Sequence, residues 1–286
     1  MIRNCKDADA VICEYEPFTK RVIDALPNLK LIAFGTIGFN YADVEYARSK
    51  GIAVSHISKY CITEVADYTV GMILMLNRGI HSFHHQVKKN RKWDFEPVMN
   101  MRRLGTQTVG LLGFGNIPKL IAEKLKPFGV KVIAYDPFVD KEEAKEKYGT
   151  DILSFDEVLA EADILSLHLP ASKDTEHIID DTSIQKMKDG VTVLNSARGQ
   201  LVNELSIVQA IESGKIGYYA ADVLGDEKPD LSSHPFMEYE NIILTPHIAF
   251  YSEESVREAT VETATNVKNF FEGNYEDAQI VNGVNL

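Results

Sequence analysis

Three side chains that can bind an anion or move a proton lie late in the chain, each after a predicted strand. They are Arg198, Glu227 and His247. An arginine can hold a carboxylate through two parallel hydrogen bonds, and a histidine can donate or accept a proton near neutral pH. A glutamate beside a histidine orients the imidazole and favours its charged form. Next to a nicotinamide, these three residue types predict the reduction of a 2-oxo acid.

A glycine-rich turn earlier in the chain predicts where a dinucleotide binds. Residues 108–118 read TVGLLGFGNIP, an apolar strand followed by Gly113, Gly115 and the start of a helix. Gly113 permits a tight turn, and Gly115 lets the backbone approach a pyrophosphate at the positive end of the helix. Asp136 ends the next strand, 21 residues after Gly115, where its carboxylate can accept hydrogen bonds from ribose hydroxyls. Because this carboxylate repels a 2′-phosphate, the pattern predicts NAD and not NADP. The alternative to a nucleotide site is an ordinary tight turn between a strand and a helix.

One position departs from the usual glycine pattern, since Pro118 stands where a third glycine is expected. That glycine normally lets the helix pack closely on its strand. A proline lacks only an N–H group that the first helical turn leaves unused. We therefore expect NAD binding to survive the replacement.

Composition excludes several partners. The net charge of −12 argues against nucleic acid and anionic membranes, which both require a basic surface. The three cysteines show no metal-ligand spacing, and so small and odd a number suits a reducing cytoplasm. The longest apolar run, 70–76, is far shorter than a membrane span.

Strands alternate with helices along the whole chain, which predicts an α/β protein with parallel sheets. We expect two Rossmann-like doubly wound domains with an active-site cleft between them. The boundaries predicted are 1–92 with 253–286 for substrate binding and 93–252 for NAD. Residues 63–91 are predicted as one long helix and 93–103 as the linker. His81, His84 and His85 have a spacing that can hold a metal, but a polar helix surface explains them equally well, and no metal is predicted.

The chain resembles the D-isomer-specific 2-hydroxyacid dehydrogenases from about residue 7 to residue 282, and it looks most like their D-lactate and D-2-hydroxyisocaproate branch. The resemblance rests on VGLLGFGNI at 109–117, HLP at 168–170, NSARG at 195–199, ADVLGDEKP at 221–229 and TPHIA at 245–249. Members of this family usually carry a further strand and helix before the segment that begins here. We therefore expect either a substrate domain that lacks its first βα unit or a sequence that begins inside a longer chain. Natural sheets avoid the exposed edge that a missing strand would leave, which favours the second alternative.

The resemblance implies a role for each candidate residue. Arg198 binds the substrate carboxylate and polarises its carbonyl, His247 gives a proton to the carbonyl oxygen, and Glu227 pairs with His247. The backbone amides of Ile37 and Gly38 also bind the carboxylate. The residues implied to contact NAD are Gly113, Gly115, Asn116, Ile117, Asp136, His168, Pro170, Ala197 and Asp222.

Simpler interpretations remain open for the individual residues. Arg198 can be a surface ion-pair partner, His247 a packed core histidine, and Glu227 a solvated charge in an acidic loop. For the whole protein the resemblance implies a homodimer. It leaves open phosphoglycerate, glyoxylate, hydroxypyruvate or phosphite chemistry, or a non-catalytic NAD-sensing protein like the family's corepressors.

Overall fold

The computed structural model describes residues 1–94, 101–226 and 228–285. The described chain is α/β with parallel sheets, as predicted, and divides into two compact units. The smaller unit is Met1–Cys61 with Tyr251–Leu286, and the larger is Ile62–Phe250.

The elements are numbered in chain order. The strands are β1 Ala10–Cys13, β2 Leu31–Phe34, β3 Ala53–Ser55, β4 Thr108–Leu112, β5 Lys131–Tyr135, β6 Asp151–Ile152, β7 Ile164–Leu167, β8 Val191–Asn195, β9 Ile216–Ala221 and β10 Ile242–Leu244. The α-helices are α1 Ile2–Cys5, α2 Lys20–Asp24, α3 Val44–Ser49, α4 Ile62–Asn77, α5 Ile80–Lys88, α6 Asn116–Leu125, α7 Lys141–Tyr148, α8 Phe155–Glu161, α9 Asp181–Lys186, α10 Glu204–Glu212 and α11 Glu253–Phe271. Short 3₁₀ helices occupy Leu104–Thr106, Lys126–Phe128, Gly199–Leu201 and Pro235–Glu238.

The smaller unit contains a parallel sheet in the order β1-β2-β3. Alternate residues of β2 enter two different cores, because successive side chains of a strand point to opposite faces. Ile32 and Phe34 pack with residues of α2 and α3, whereas Leu31 and Ala33 pack with Phe270 of α11. Helices therefore cover both faces of this sheet.

The larger unit contains a parallel sheet in the order β10-β9-β8-β7-β4-β5-β6. Every residue of β7 and β9 is buried, as expected of parallel strands with helices on both sides. Helices α4, α6 and α7 contribute to the core on one face. Helices α8, α9 and α10 contribute to the core on the other. This is a doubly wound sheet of the Rossmann type, which confirms the predicted fold class.

The prediction of one helix over 63–91 is wrong. The structure has two helices, α4 ending at Asn77 and α5 beginning at Ile80. Gly79 between them has a φ of +61°, a left-handed conformation that no α-helix continues through and that glycine adopts without steric cost. Of the predicted linker, residues 95–100 lie outside the described residues.

No helix in the described ranges is both long and apolar enough to cross a lipid bilayer.

Candidate active site

Most of the predicted site residues meet at one edge of the seven-stranded sheet. The strand ends are level there, because Leu112 pairs with both Tyr135 and Leu167, and Asn195 pairs with both Leu167 and Ala221. Across this carboxyl edge the residues that follow the strands are, in order, His247, Asp222, Arg198, His168, Gly113 and Asp136. Groups for proton transfer and groups for nucleotide binding therefore share one edge.

The centre of this edge is a topological switch point. The chain leaves β4 through α6, on one face of the sheet, and leaves β7 through α9, on the other face. Neighbouring strands whose connections diverge in this way leave a crevice at their carboxyl ends, where ligands of open α/β sheets bind.

Gly113 directly follows β4, beside this crevice, and must be glycine for two reasons. Its φ is +95°, which L side chains rarely adopt. A Cβ at this position would also lie 2.7 Å from the carbonyl oxygen of His168. The ends of β4 and β7 therefore approach more closely than any side chain at 113 would allow.

Gly115 is different, because no protein atom requires it. A Cβ there would meet nothing within 4 Å, and its φ of −79° is open to any residue. Gly115 precedes α6 and offers no side chain to cap it, so the exposed N–H groups at the start of the helix point to a ligand. A pyrophosphate fits this end, since anions are stabilised at helix N-termini.

Asp136 holds the turn together. Its Oδ2 accepts a hydrogen bond from the N–H of Phe114 at 2.9 Å, and its Oδ1 accepts one from the N–H of Phe138 at 2.9 Å. Each carboxylate oxygen has a further lone pair, so the carboxylate can also accept from ribose hydroxyls. These observations make the residues at 113–117 and 136 a fitting site for NAD.

Pro118 is the third residue of α6 and is buried. Its missing N–H belongs to the first turn, where N–H groups have no partner within the helix. The helix starts at Asn116 in spite of the proline, and the N–H groups of Asn116 and Ile117 lie before it. The proline is thus compatible with the helix end that the cofactor needs.

His168 directly follows β7 and is uncharged near neutral pH. Burial lowers the pKa of His168 to about 3, and its Nε2 lies 2.9 Å from Ser166 Oγ. An imidazole with so low a pKa carries no proton to give near neutral pH. Pro170, two residues on, is exposed, and its carbonyl accepts a hydrogen bond from Thr175 Oγ1 at 2.7 Å.

The turn that carries Arg198 is shaped by the buried Asn195 at the end of β8. Asn195 Oδ1 accepts from the N–H of Ala197 at 3.1 Å, and its Nδ2 donates to the carbonyl of Arg198 at 2.9 Å. Nη1 of Arg198 donates to the Ala197 carbonyl at 2.7 Å. Within the described residues the guanidinium forms no other hydrogen bond. Its other four N–H donors can therefore serve a ligand.

Gly199 allows this turn to pack against the segment that follows β9. A Cβ at 199 would fall 2.0 Å from the carbonyl carbon of Leu224. The Arg198 turn and the segment after Asp222 are therefore in backbone contact.

Asp222 is buried, and its carboxylate is enclosed by the segment 245–249. Oδ1 accepts from the Thr245 hydroxyl and from the N–H of Ile248, and Oδ2 accepts from the N–H of Ala249 at 2.8 Å. The Asp222 carbonyl accepts from the N–H of His247 at 2.8 Å. We call this arrangement the Asp222 clamp.

The clamp holds His247 in a left-handed conformation with a φ of +55°. Such a φ is uncommon outside glycine, and strained backbone persists only when its surroundings fix it. The imidazole is partly exposed and packs edge-on against Phe250, with ring centroids 6.0 Å apart. This is not the environment of a packed core histidine.

Glu227 lies outside the described residues. The segment before it is anchored, because the N–H of Gly225 donates to Glu204 Oε1 at 2.9 Å. Glu204 Oε2 in turn lies 3.4 Å from Nε2 of His234.

Ile37 and Gly38 follow β2 in the smaller unit. The Gly38 carbonyl accepts from Thr36 Oγ1 at 2.7 Å, and the Ile37 carbonyl lies 3.0 Å from His56 Nδ1. Both carbonyls are thus engaged, whereas the two N–H groups form no hydrogen bond with any described residue. The turn can therefore present both amides to an anion.

Comparisons with known proteins identify the family. The model of the D-isomer-specific 2-hydroxyacid dehydrogenase NAD-binding domain matches residues 70–249. A 2-hydroxyacid dehydrogenase homolog 1 from Schizosaccharomyces pombe is 37% identical over 265 residues, which is 88% of this chain and 79% of that protein. This chain belongs to the D-isomer-specific 2-hydroxyacid dehydrogenases.

Two further relatives differ in the substrate that their names give. A hydroxypyruvate reductase from Blautia hydrogenotrophica is 31% identical over 278 residues, 96% of this dehydrogenase and 85% of its own length. The structure of a D-lactate dehydrogenase from Aquifex aeolicus, complexed with NAD and lactic acid, matches with a TM-score of 0.90 at 34% identity. That match covers 99% of this chain and 89% of the other.

Membership confirms three predictions. The dehydrogenase is an enzyme, it acts on the CH–OH group of a donor, and its cofactor is NAD. The metal-like spacing of the histidines on α5 has no such support: among residues 1–94, 101–226 and 228–285, no three His, Cys, Asp or Glu side chains are arranged to hold a metal. His85 instead faces Glu240, with its Nε2 3.6 Å from the carboxylate.

Some residues that shape this edge were not selected from the sequence. Tyr68 on α4 reaches Thr245, with 2.6 Å between the two hydroxyl oxygens. Thr69 lies beside it, with its Oγ1 3.3 Å from Ser196 Oγ. Two adjacent hydroxyl side chains on α4 were the available signal, but their partners lie more than a hundred residues away in the chain.

Proposed function

We propose that this dehydrogenase reduces a small 2-oxo acid to the D-2-hydroxy acid, with pyruvate as the leading substrate. The observation that carries the proposal is the His247 loop. A buried carboxylate holds a partly exposed imidazole in a strained conformation, two strands from the Arg198 turn. The lactic acid complex of the similar D-lactate dehydrogenase supports pyruvate as its substrate.

The proposed mechanism assigns one task to each residue. Bound NADH supplies the hydride from nicotinamide C4. Arg198 binds the substrate carboxylate with its spare N–H donors and polarises the carbonyl. His247 would give a proton to the carbonyl oxygen, and Glu227 would stabilise the charged imidazole. In the reverse reaction His247 accepts the proton from the hydroxyl.

The proposal gives the remaining predicted residues their tasks. The amides of Ile37 and Gly38 bind a carboxylate. In the larger unit the amides of Asn116 and Ile117 bind the pyrophosphate, and Asp136 binds the ribose. His168, Pro170 and Ala197 line the cofactor, and Asp222 acts near the nicotinamide by holding the His247 loop.

The test is a panel of 2-oxo acids assayed by NADH absorbance, with the product resolved by chiral chromatography. The panel contains pyruvate, 2-oxoisocaproate, hydroxypyruvate, glyoxylate and 3-phosphohydroxypyruvate, with phosphite assayed in the oxidative direction. We expect the highest kcat/KM with pyruvate and a D product. A preference for hydroxypyruvate would replace pyruvate, in line with the relative from Blautia hydrogenotrophica.

Two results would refute more than the choice of substrate. An L product would contradict the assigned stereochemistry. Tight NADH binding without turnover of any compound would instead favour an NAD-sensing binding protein. The same panel run with NADPH tests Asp136, because its carboxylate should make NADPH the poorer cofactor.

We also propose that the enzyme is a homodimer assembled through the region of α4 and α5, with its twofold axis there. Ile80 at the start of α5 is more than half exposed and would be covered by such an interface. Light scattering should give twice the chain mass of 32.0 kDa, and a monomer mass would contradict the dimer. A cytoplasmic location is proposed from the few cysteines alone.

A further inference from the structure

A tyrosine on helix α4 is connected to the Asp222 clamp by hydrogen bonds. The Tyr68 Oη lies 2.6 Å from Thr245 Oγ1, and the Thr245 hydroxyl donates to Asp222 Oδ1. An ionised carboxylate can only accept, so the single Thr245 proton points to Asp222. Tyr68 must therefore be the donor to Thr245.

The direction of this chain is fixed over the whole working pH range. Burial raises the pKa of Tyr68 to about 12, and the negative charge of Asp222 contributes to the same shift. The phenol thus keeps its proton at neutral pH and well above it. The order of donation is Tyr68 to Thr245 to Asp222.

Asp222, the last member of this hydrogen-bonded chain, fixes the backbone at His247 and at the two residues after it. Asp222 accepts from the N–H groups of Ile248 and Ala249 through its side chain, and from the N–H of His247 through its carbonyl. His247 needs this support, because a left-handed conformation costs a non-glycine residue free energy. Any rotation of the Asp222 carboxylate would release the peptide groups that keep the imidazole in place.

Tyr68 connects the His247 loop to a well-packed helix. Its neighbours on α4, Ala66 and Ile73, are fully buried in the core that α4 shares with α6. The Thr245 hydroxyl is tied at one side to this helix and at the other to Asp222. Without Tyr68, Thr245 would have only one of its two anchors.

We propose that Tyr68 is a positioning residue for the proton donor, acting on the His247 imidazole through Thr245 and Asp222. This inference rests on the proposed role of His247. It predicts that loss of the phenolic hydroxyl slows the chemical step and leaves substrate and cofactor binding intact.

The test is Tyr68→Phe, which removes one oxygen and keeps the ring that packs against the core shared by α4 and α6. Since a net hydrogen bond changes an equilibrium by about 3- to 10-fold, kcat should fall by roughly that factor. The KM for the 2-oxo acid and the Kd for NADH, measured by fluorescence, should remain within about twofold because no binding group is lost. An unchanged kcat would overturn the proposal, and so would an effect confined to KM.

Three further variants separate positioning from a general loss of stability. Tyr239→Phe removes an exposed phenol that donates to Glu212, and it should leave kcat unchanged. Thr245→Ser keeps both hydroxyl contacts and should retain most of the activity. In a Thr245→Val background, Tyr68→Phe should have no additional effect, because the link is already broken. If the two substitutions lowered kcat independently, so that their factors multiplied, the hydrogen-bonded link from Tyr68 through Thr245 would be contradicted.

Hydrogen exchange distinguishes failure of this inference from failure of the proposed function. The amides of His247, Ile248 and Ala249 should exchange faster in Tyr68→Phe than in wild type or Tyr239→Phe, whether or not a 2-oxo acid is turned over. Faster exchange in a protein without 2-oxo acid reductase activity would refute the role of His247 but support the positioning of its loop by Tyr68. Unchanged exchange would refute the positioning by Tyr68 itself.

Discussion

At the scale of single residues, His247 combines a reactive side chain with an unfavourable backbone conformation. His177 offers a natural comparison, because it is also a non-glycine residue with positive φ, at +50° against +55° for His247. His177 is exposed and lies in the loop after β7, where its N–H donates to the carbonyl of Gln200 at 2.9 Å. The pair allows the backbone cost of a substitution to be separated from its chemical cost.

We predict that His247→Gln lowers kcat by about 10²–10⁴-fold, the usual contribution of general acid catalysis. Glutamine can hydrogen-bond to the carbonyl oxygen but cannot give it a proton. His177→Gln, the same exchange at a matched φ, should leave kcat unchanged. Steady-state kinetics at saturating NADH measures both, and near wild-type turnover in His247→Gln would remove the histidine from the mechanism.

Arg198 is expected to act through geometry as well as charge. We predict that Arg198→Lys lowers kcat/KM for the 2-oxo acid by roughly 10- to 100-fold, since a hydrogen bond to a charged group is worth about 1.5–3 kcal/mol. A lysine keeps the charge but not the planar pair of donors. Arg102→Lys is the control, because Arg102 pairs with Asp163 at the opposite edge of the same sheet. An equal loss in both variants would mean that Arg198 is only structural.

At the scale of the elements, the two glycines before α6 serve different purposes. Gly113 is demanded by the fold, through its φ of +95° and the His168 carbonyl 2.7 Å from its missing Cβ. Gly115 is not, since a Cβ there meets no protein atom. The same substitution at both positions should therefore give opposite results for stability and binding.

We predict that Gly113→Ala lowers the thermal midpoint of the protein without cofactor, because the strain costs at least about 1–2 kcal/mol. Each kcal/mol corresponds to about 2–4 °C in a domain of this size. Gly115→Ala should leave that midpoint unchanged and weaken NADH binding by about tenfold or more, equivalent to roughly 1.4 kcal/mol. Calorimetry and fluorescence titration measure the two effects. A stability loss at 115 without a change in affinity would contradict the pyrophosphate assignment.

The elements around these glycines could be predicted because their signals are local. The strand at 108–112, the helix from Asn116 and the acid at 136 follow from residues within thirty positions of one another. The break between α4 and α5 also had a local signal, Gly79, but the apolar pattern on both sides outweighed it. The Asp222 clamp could not be predicted, since it joins loops after two strands whose contact exists only in the folded sheet.

At the scale of the whole molecule, His168 links stability to pH. Burial lowers its pKa from 6.5 to about 3. Between these two values the His168 imidazole therefore binds a proton in the unfolded chain but not in the folded chain. The free energy of unfolding therefore falls as the pH decreases from 6.5 towards 3, and this contribution is fully present above 6.5.

We predict a shallower pH dependence of stability for His168→Asn. The wild-type slope should exceed that of the variant by up to about 1.4 kcal/mol per pH unit between roughly pH 6 and pH 4. Urea unfolding followed by circular dichroism measures the slope. His177→Asn, which replaces an exposed ring, should behave as wild type. Equal slopes for all three proteins would show that His168 is not desolvated in solution.

The carboxylate of Asp136 also constrains how the cofactor preference of this lineage can evolve. Removal of its negative charge is the simplest route to accepting a 2′-phosphate. The same side chain, however, is the acceptor for the N–H of the fully buried Phe114. A single exchange to a residue without an acceptor would leave that amide unpaired, at a cost of about 1–3 kcal/mol. A single exchange towards NADP must therefore remove the charge and keep an acceptor for this amide, as asparagine or serine would. Exchanges without an acceptor need a second substitution that restores the hydrogen bond.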